Sequence, residues 1–435
     1  MPPPPRAAIV TVGDELLLGR TVDTNAAWLG QRLAERGIPV ARRATVADDD
    51  AEIRLAVSAA VEAAELVLVT GGLGPTPDDV TREAVAALTG RPLREDPEVM
   101  ERILDLYRRR GLDQVPEPNR RVARVPEGAA TLANPHGTAP GLALEHRGAL
   151  VVLLPGVPRE MRGIVEGALF PLVEARFQGR LRQVLVHMVH TTGIPESRLS
   201  QEISERLPGG AAPVRLAFLP DVRGVDLRFT AVDMTPEEAG RRFGAVEEAL
   251  ADVLAPWRFR APSGDLAEAL SGALRGVGAT LAVAESCTGG LVSKRITDLP
   301  GASQVLVGGV VAYADAVKEQ VLGVPREVLA AHGAVSEAVA SAMALGVARA
   351  LGARAGISIT GVAGPGGGTE AKPVGTVWYA ASMDGRVVTR RERFSGDRDA
   401  VRERAAQAAL FLLLTLLDGR AGSTGAEPSA RSVVS

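Results

Sequence analysis

Ala279-Thr280-Leu281-Ala282-Val283, running into Ala284-Glu285-Ser286-Cys287-Thr288-Gly289-Gly290, is the stretch against which the rest of the chain is read. The apolar run has the length and composition of a buried strand, and Leu291 to Ile296 has helical spacing. Ser286, Cys287 and Thr288 are therefore expected at a strand-to-helix turn. The first N–H groups of a helix lack partners and carry partial positive charge. A nucleophile placed there would have an anion or oxyanion site beside it. The plainer reading makes Ser286 or Thr288 an N-cap, with Gly289 and Gly290 allowing close packing.

Lysine usage bears on the choice. The chain has 49 Lys+Arg, yet lysine stands only at Lys294, Lys318 and Lys372. Where arginine is the default cation, a retained lysine marks a position where a removable proton is useful, because lysine can become a base and arginine cannot. A Ser–Lys dyad follows, with desolvation or a neighbouring cation favouring the neutral amine. Lys318 lies just beyond Tyr313, whose hydroxyl could relay or orient the proton. Cys287 is the rival nucleophile; if strand geometry persists, Ser286 and Cys287 point opposite ways and only one faces the site. His332, the one histidine of this segment, lies at an expected helix C-terminus, and nothing local recruits it to a triad. Thr360 at a strand end and Arg398 at a helix start are candidate phosphate or ribose contacts, or simply a cap and a solvated charge.

At 435 residues the chain should hold two or three domains, and 46% hydrophobic residues support proper cores. A net charge of −3 gives no global pull toward nucleic acid or an anionic membrane. One cysteine excludes an intrachain disulfide and fits a reducing cytoplasm. The proline run at the start has no apolar core of the kind a signal peptide needs, and Phe411 to Leu417 is too short to span a bilayer.

In the first segment, 6–172, apolar runs at Ala7–Val12, Leu66–Thr70 and Ala149–Leu154 alternate with helical patterns. This predicts an α/β, doubly wound, mostly parallel sheet, whose ligands bind beyond the carboxyl ends of the strands. Asp14, Glu15, the Gly71–Gly74 turn, Asp78, Asp79 and Gly156 all fall at such ends. Thr76 and Pro77 read as the N-cap and first residue of a helix with acids in its first turn. Acids beside glycine turns suit a divalent metal holding a phosphate, or else merely cap a helix. No Walker A or Gly-x-Gly-x-x-Gly fingerprint follows these strands. The second segment, 173–259, reads as a small α+β module of KH type without a Gly-x-x-Gly loop, which argues for a spacer or dimerising role over RNA gripping. His187 and His190 lack a third ligand and read as structural. The third segment, 263–418, is α/β again. Its loop Gly361 to Gly368 is too rich in glycine to be rigid without a ligand, and the tail 419–435 is expected to be disordered.

Gly13 to Gly19, Thr70 to Thr81, Asn134 to Gly141 and Leu154 to Met161 resemble the N-terminal half of the CinA family (competence/damage-inducible protein A), a half that is similar to molybdopterin-binding proteins. Ala284 to Gly290, Tyr313 to Lys318, His332 to Glu337, Thr360 to Gly368, Lys372 to Trp378 and Phe394 to Asp399 resemble that family's nicotinamide-nucleotide amidase domain. The resemblance implies a cytoplasmic bacterial enzyme, expected as a homodimer. It would convert nicotinamide mononucleotide and water to nicotinate mononucleotide and ammonia. Ser286 would be the nucleophile, Lys318 the base and Tyr313 a supporting hydroxyl. Thr288, Gly289, Gly290, Thr360, Gly361 and Arg398 would lie near the nucleotide. The N-terminal domain would be an ADP-ribose pyrophosphatase using a divalent metal ion (Mg, Mn or Co) at Asp78, Asp79 and Glu15. Its phosphate contacts would come from Asn25, Gly71, Gly72, Gly74 and Gly156. Asp14 stands where the family often has Asn. The rival expectations are a non-catalytic scaffold tied to competence or DNA repair, and a pterin-phosphate binder acting through the N-terminal domain.

Overall fold

The computed structural model describes residues 2–109, 111–112 and 114–419, so the tail expected to be disordered lies outside the described residues from 420 onward. The chain divides into two compact units: residues up to 186 together with 231–239, and 187–230 together with 240 onward.

In the first unit, β1 (Ala7–Val12), β2 (Val40–Val46) and β3 (Leu66–Thr70) precede a separate ribbon of β4 (Leu93–Glu95) and β5 (Arg124–Pro126). β6 (Ala130–Leu132), β7 (Gly141–His146) and β8 (Ala149–Leu154) then complete a six-stranded sheet of order β2-β1-β3-β8-β7-β6. β2, β1, β3 and β8 run parallel, while β7 and β6 are antiparallel additions. Alternation along β1 sends Ala8, Val10 and Val12 to one core with Ile53, Val57 and Val85, and Ala7 and Ile9 to the other with Leu29, Leu33 and Ile164. Both faces are covered, which is why these strands read as unbroken apolar runs.

The expected helix start at Thr76–Pro77 is not found. Residues 77 and 78 form a turn, 79 and 80 are irregular, and the helix begins at Thr81 (Thr81–Thr89) with no side-chain cap. The cause is local: the Asp79 carboxylate accepts from the Thr76 N–H at 2.9 Å and from its hydroxyl at 2.5 Å, offering the backbone an alternative to the helical bond.

β9 (Val184–Thr191), β10 (Arg215–Asp221), β11 (Gly224–Val232) and β12 (Arg258–Phe259) form a four-stranded sheet of order β10-β11-β9-β12, packed on the Glu196–Arg206 and Pro236–Ala249 helices. His187 sits 3.3 Å from Glu247 and stacks on Phe243, and His190 sits 2.9 Å from Asp226, as structural histidines do. At the tip of the β10–β11 hairpin, Arg223 reaches Asp265 at 3.3 Å and Glu403 at 3.1 Å.

The C-terminal sheet, β14-β13-β15-β16-β17, joins β13 (Leu281–Glu285), β14 (Leu306–Val311), β15 (Ala355–Gly361), β16 (Thr376–Met383) and β17 (Arg386–Arg393). β14, β13 and β15 are parallel; β16 and β17 add antiparallel. Leu281 and Val283 face the Leu266–Gly276 and Arg398–Leu417 helices, whereas Ala282 and Ala284 face the Glu337–Leu351 helix. No helix among the described residues is long and apolar enough to cross a membrane.

Candidate active site

The opening stretch folds as a strand, a turn and a helix. β13 ends at Glu285, the turn spans 286–290, and the helix is Leu291–Thr297. Gly289 and Gly290 have φ of +61° and +97°, values that favour glycine, and carry the chain into the helix. Register brings the site together. Glu285 pairs with Val311 on one side and Ile359 on the other, so Ser286, Ala312 and Thr360 leave adjacent parallel strands side by side. The Ser286 N–H donates to the Ile359 carbonyl at 2.9 Å. One helical turn past β14, Lys318 is 1% exposed. Its Nζ donates to the Tyr313 carbonyl at 3.2 Å and to Asp315 at 3.1 Å, and makes no hydrogen bond to Ser286. By contrast Lys294 is exposed and paired with Asp298, and Lys372 donates at 2.8 Å to the His332 carbonyl at a helix end. Of the lysines, only Lys318 is in the core beside the turn.

The helix start is not the open anion site that the sequence suggested, and neither Ser286 nor Thr288 caps it. The buried Glu285 carboxylate accepts from the N–H groups of Gly290 at 3.0 Å, Val292 at 3.1 Å and Ser293 at 2.9 Å, and from the Ser293 hydroxyl at 2.8 Å. An internal anion thus occupies the positive end of the helix. Apart from the Cys287 N–H facing its own thiol, the amides of Cys287 and Thr288, directly after the serine, have no acceptor among the described residues. Sequence reasoning missed Glu285's part because a strand residue's side chain was not expected to fold forward over the next helix.

Cys287 is buried, and burial pushes its thiol up to about 12, reinforced by the Glu285 carboxylate and opposed by its own N–H and by Arg398 and Arg402. A thiol in that state is a poor nucleophile at neutral pH. We expect Cys287 in the native chain to resist iodoacetamide at pH 7.5 and to react stoichiometrically once unfolded. Native labelling at the rate of a free thiol would reinstate it as the rival to Ser286.

Tyr313 is 61% exposed, and its hydroxyl accepts from Arg398 Nη2 at 3.1 Å. Arg398 Nη1 also donates to the Gly364 carbonyl at 2.6 Å, tying the glycine loop to the tyrosine. Thr360 is buried and donates its hydroxyl to the Ala334 carbonyl at 2.8 Å, while Gly361 backs onto β16 with no room for a side chain. Thr288 is buried, its hydroxyl without a hydrogen-bond partner among the described residues; Gly289 is exposed.

In the N-terminal unit, Asn25 Nδ2 donates to the Gly156 carbonyl at 2.7 Å and to Thr70 Oγ1 at 3.3 Å, joining the ends of β3 and β8. At Gly71, with φ +113°, a Cβ would lie 2.1 Å from the Val12 carbonyl, so only glycine fits. Gly72 lies against the Thr81 side chain and Gly74 against the Asp79 carboxylate. Beneath this turn the fully buried Arg82 donates to the Leu73 carbonyl at 2.8 Å and the Arg121 carbonyl at 3.2 Å, and burial lowers its pKa. Asp48 was also missed, although the run Asp48-Asp49-Asp50 signalled it. The Asp14 N–H donates to its carboxylate at 3.0 Å. Burial raises Asp48 and the Asp14 N–H lowers it, and the charges of Asp14, Glu15 and Asp78 raise it further. Among the described residues no three His, Cys, Asp or Glu side chains are gathered as a metal ligand set. Glu15, Asp78 and Asp79 therefore do not by themselves fit a metal ion, Asp79 being engaged with Thr76.

Comparison with known proteins bears on this arrangement. A CinA-like protein of Gemmatimonas aurantiaca is 45% identical over 415 residues, spanning 95% of this chain and 97% of the relative. The chain belongs to the CinA family. A CinA-like protein of Salinibacter ruber is 44% identical, over 93% of this chain and 98% of its own. Family models match in three blocks: the probable molybdopterin binding domain at 8–175, the CinA KH domain at 187–259 and the CinA C-terminal domain at 263–417. Among solved structures, the CinA protein of Thermoplasma acidophilum is 39% identical, covers 39% of this chain and 98% of its own, and has a TM-score of 0.37. The molybdopterin biosynthesis enzyme MoaB of Thermus is 28% identical, over 40% of this chain and 96% of its own, with a TM-score of 0.28. The CinA C-terminal match contains the whole Ser286–Tyr313–Lys318 arrangement, and the molybdopterin-domain match contains the glycine turn at Gly71–Gly74.

Proposed function

We propose that the C-terminal domain is a nicotinamide mononucleotide deamidase that releases nicotinate mononucleotide and ammonia. What carries the reading is the buried Lys318 in the short helix Asp315–Gln320 that follows β14, the strand paired with the one that delivers Ser286. Ser286 Oγ attacks the amide carbonyl as its proton passes to the Lys318 amine acting as base. The Lys318 side chain must turn from Asp315 toward the serine for this step; such contacts often form only when substrate binds. The Cys287 and Thr288 amides donate to the oxyanion, since the helix amides are taken by Glu285. Lys318 returns the proton to the leaving nitrogen, ammonia departs, and water cleaves the acyl-serine by the same relay in reverse. Tyr313, held by Arg398, orients the amine and the substrate amide.

The test is ammonia release from nicotinamide mononucleotide by the purified chain; none above background overturns the reading. Lys318→Arg keeps the charge but removes the base, and should lower kcat by about 10²–10⁴-fold, with a stability loss of about 1–3 kcal/mol from the larger side chain at this buried site. A variant near the wild-type rate would point to another base.

For the N-terminal domain we propose ADP-ribose pyrophosphatase activity at the glycine turn and the acids around it. Hydrolysis of ADP-ribose that survives chelation would remove the metal from this reading, and hydrolysis restored by Mg, Mn or Co would require ligands beyond Glu15, Asp78 and Asp79.

A further inference from the structure

We propose that Arg402 is a positioning residue of the deamidase, a clamp that fixes the nucleophile turn through the carbonyl of Thr288. The proposal rests on the amidase reading above. Arg402 lies one turn into the Arg398–Leu417 helix, and its Nη2 donates to the Thr288 carbonyl at 2.8 Å. The turn's own bond to that carbonyl, from the Leu291 N–H, is long at 3.4 Å, so the guanidinium is its main restraint. The same Nη2 lies 3.8 Å from where a Cβ on Gly289 would stand, so the side chain lies along the turn. Nη1 pairs with Asp399 at 3.3 Å, which steadies the arginine from its own helix.

The geometry matters because this turn holds two things at once. It presents Ser286, and its Cys287 and Thr288 amides have no acceptor beyond the cysteine's own thiol among the described residues. The residues before it are fixed by β13, and those after it by Glu285. Between those anchors the positive-φ Gly289 leaves the backbone permissive, and Arg402 bonds to it there at the Thr288 carbonyl. Its neighbour Arg398 serves Tyr313 and Gly364 instead, so the first two turns of one helix orient the nucleophile turn and the tyrosine together. Arg402 touches no reacting atom in this account and acts through the backbone.

The experiment compares wild type, Arg402→Gln and Arg402→Lys in the full chain, by steady-state kinetics on nicotinamide mononucleotide and by hydrogen exchange over 286–291. Arg402→Gln should lower kcat by about 100-fold, the scale of an ångström misplacement, with KM changed by less than about threefold. Exchange at the turn should quicken while that of β13 stays unchanged. Arg402→Lys, which still reaches one carbonyl, should recover to within about tenfold of wild type. A raised KM with unchanged kcat would make Arg402 a phosphate contact and overturn the clamp, as would unchanged exchange. An inactive wild type would sink the deamidase reading alone, and the exchange comparison would still decide whether Arg402 holds the turn.

Discussion

Ser286→Ala should abolish ammonia release from nicotinamide mononucleotide while leaving hydrolysis of ADP-ribose and the melting temperature where they were. The expected loss is at least about 10⁴-fold in kcat, since removing a serine nucleophile disables base and nucleophile together. Separation of the two activities is the informative part. Ser286 is half-buried in the C-terminal turn, its hydroxyl makes no bond that holds the fold, and the acids and glycines of the other proposed site lie in the first unit. Ammonia release that persists in Ser286→Ala would refute the nucleophile assignment. Loss of both activities together would mean that the substitution harms the chain as a whole. Residual activity in this variant should also be insensitive to Lys318→Arg, because a base with nothing to deprotonate contributes nothing further.

The second large effect concerns stability. Asp265→Ala should destabilise the second unit by about 3–5 kcal/mol, because it strands a buried guanidinium. Arg295 is 4% exposed and donates Nη2 to Asp265 at 2.7 Å, while its Nε and Nη1 have no hydrogen-bond partner among the described residues. Asp265 also caps the Leu266–Gly276 helix through the Ala267 N–H at 2.8 Å, worth about 1 kcal/mol within that total. Burial by itself would raise the Asp265 carboxyl, but Arg295, the Ala267 N–H and Arg223 together hold it below the ordinary value. The sign follows from that depression. The ionised form is favoured in the folded state, so this contribution is full above about pH 4, where an unfolded aspartate is ionised, and is lost as pH falls below it. Denaturant titrations of wild type and Asp265→Ala should therefore differ most at neutral pH and converge in acid. A constant difference at all pH values would assign the effect to packing.

Much of this was legible in the residues. Buried strands such as Leu66–Thr70 and Ala355–Gly361 are short apolar runs between glycine or polar punctuation, and their pattern does not compete with any other element. The rarity of lysine marked Lys318, and the structure separates it from Lys294 and Lys372 by burial. The errors share one physical origin, a side chain that bonds back to the main chain. Asp79 took the Thr76 amide and delayed a helix to Thr81, and Glu285 took the amides at the start of another. Spacing reports which face a residue occupies, but not which of several nearby amides a carboxylate will choose. Arg402 carried no local signal, because its partner lies 114 residues away in sequence.

The hairpin-tip arginine has a practical corollary for anyone trimming the chain. Cutting after 262 to isolate the lobe at 263–417 would remove Arg223 and with it the outside neutraliser of Glu403 and of one oxygen of Asp265. The excised piece would keep two carboxylates and one guanidinium where the intact chain has two of each. Its behaviour in acid and in salt would then describe the fragment rather than the parent.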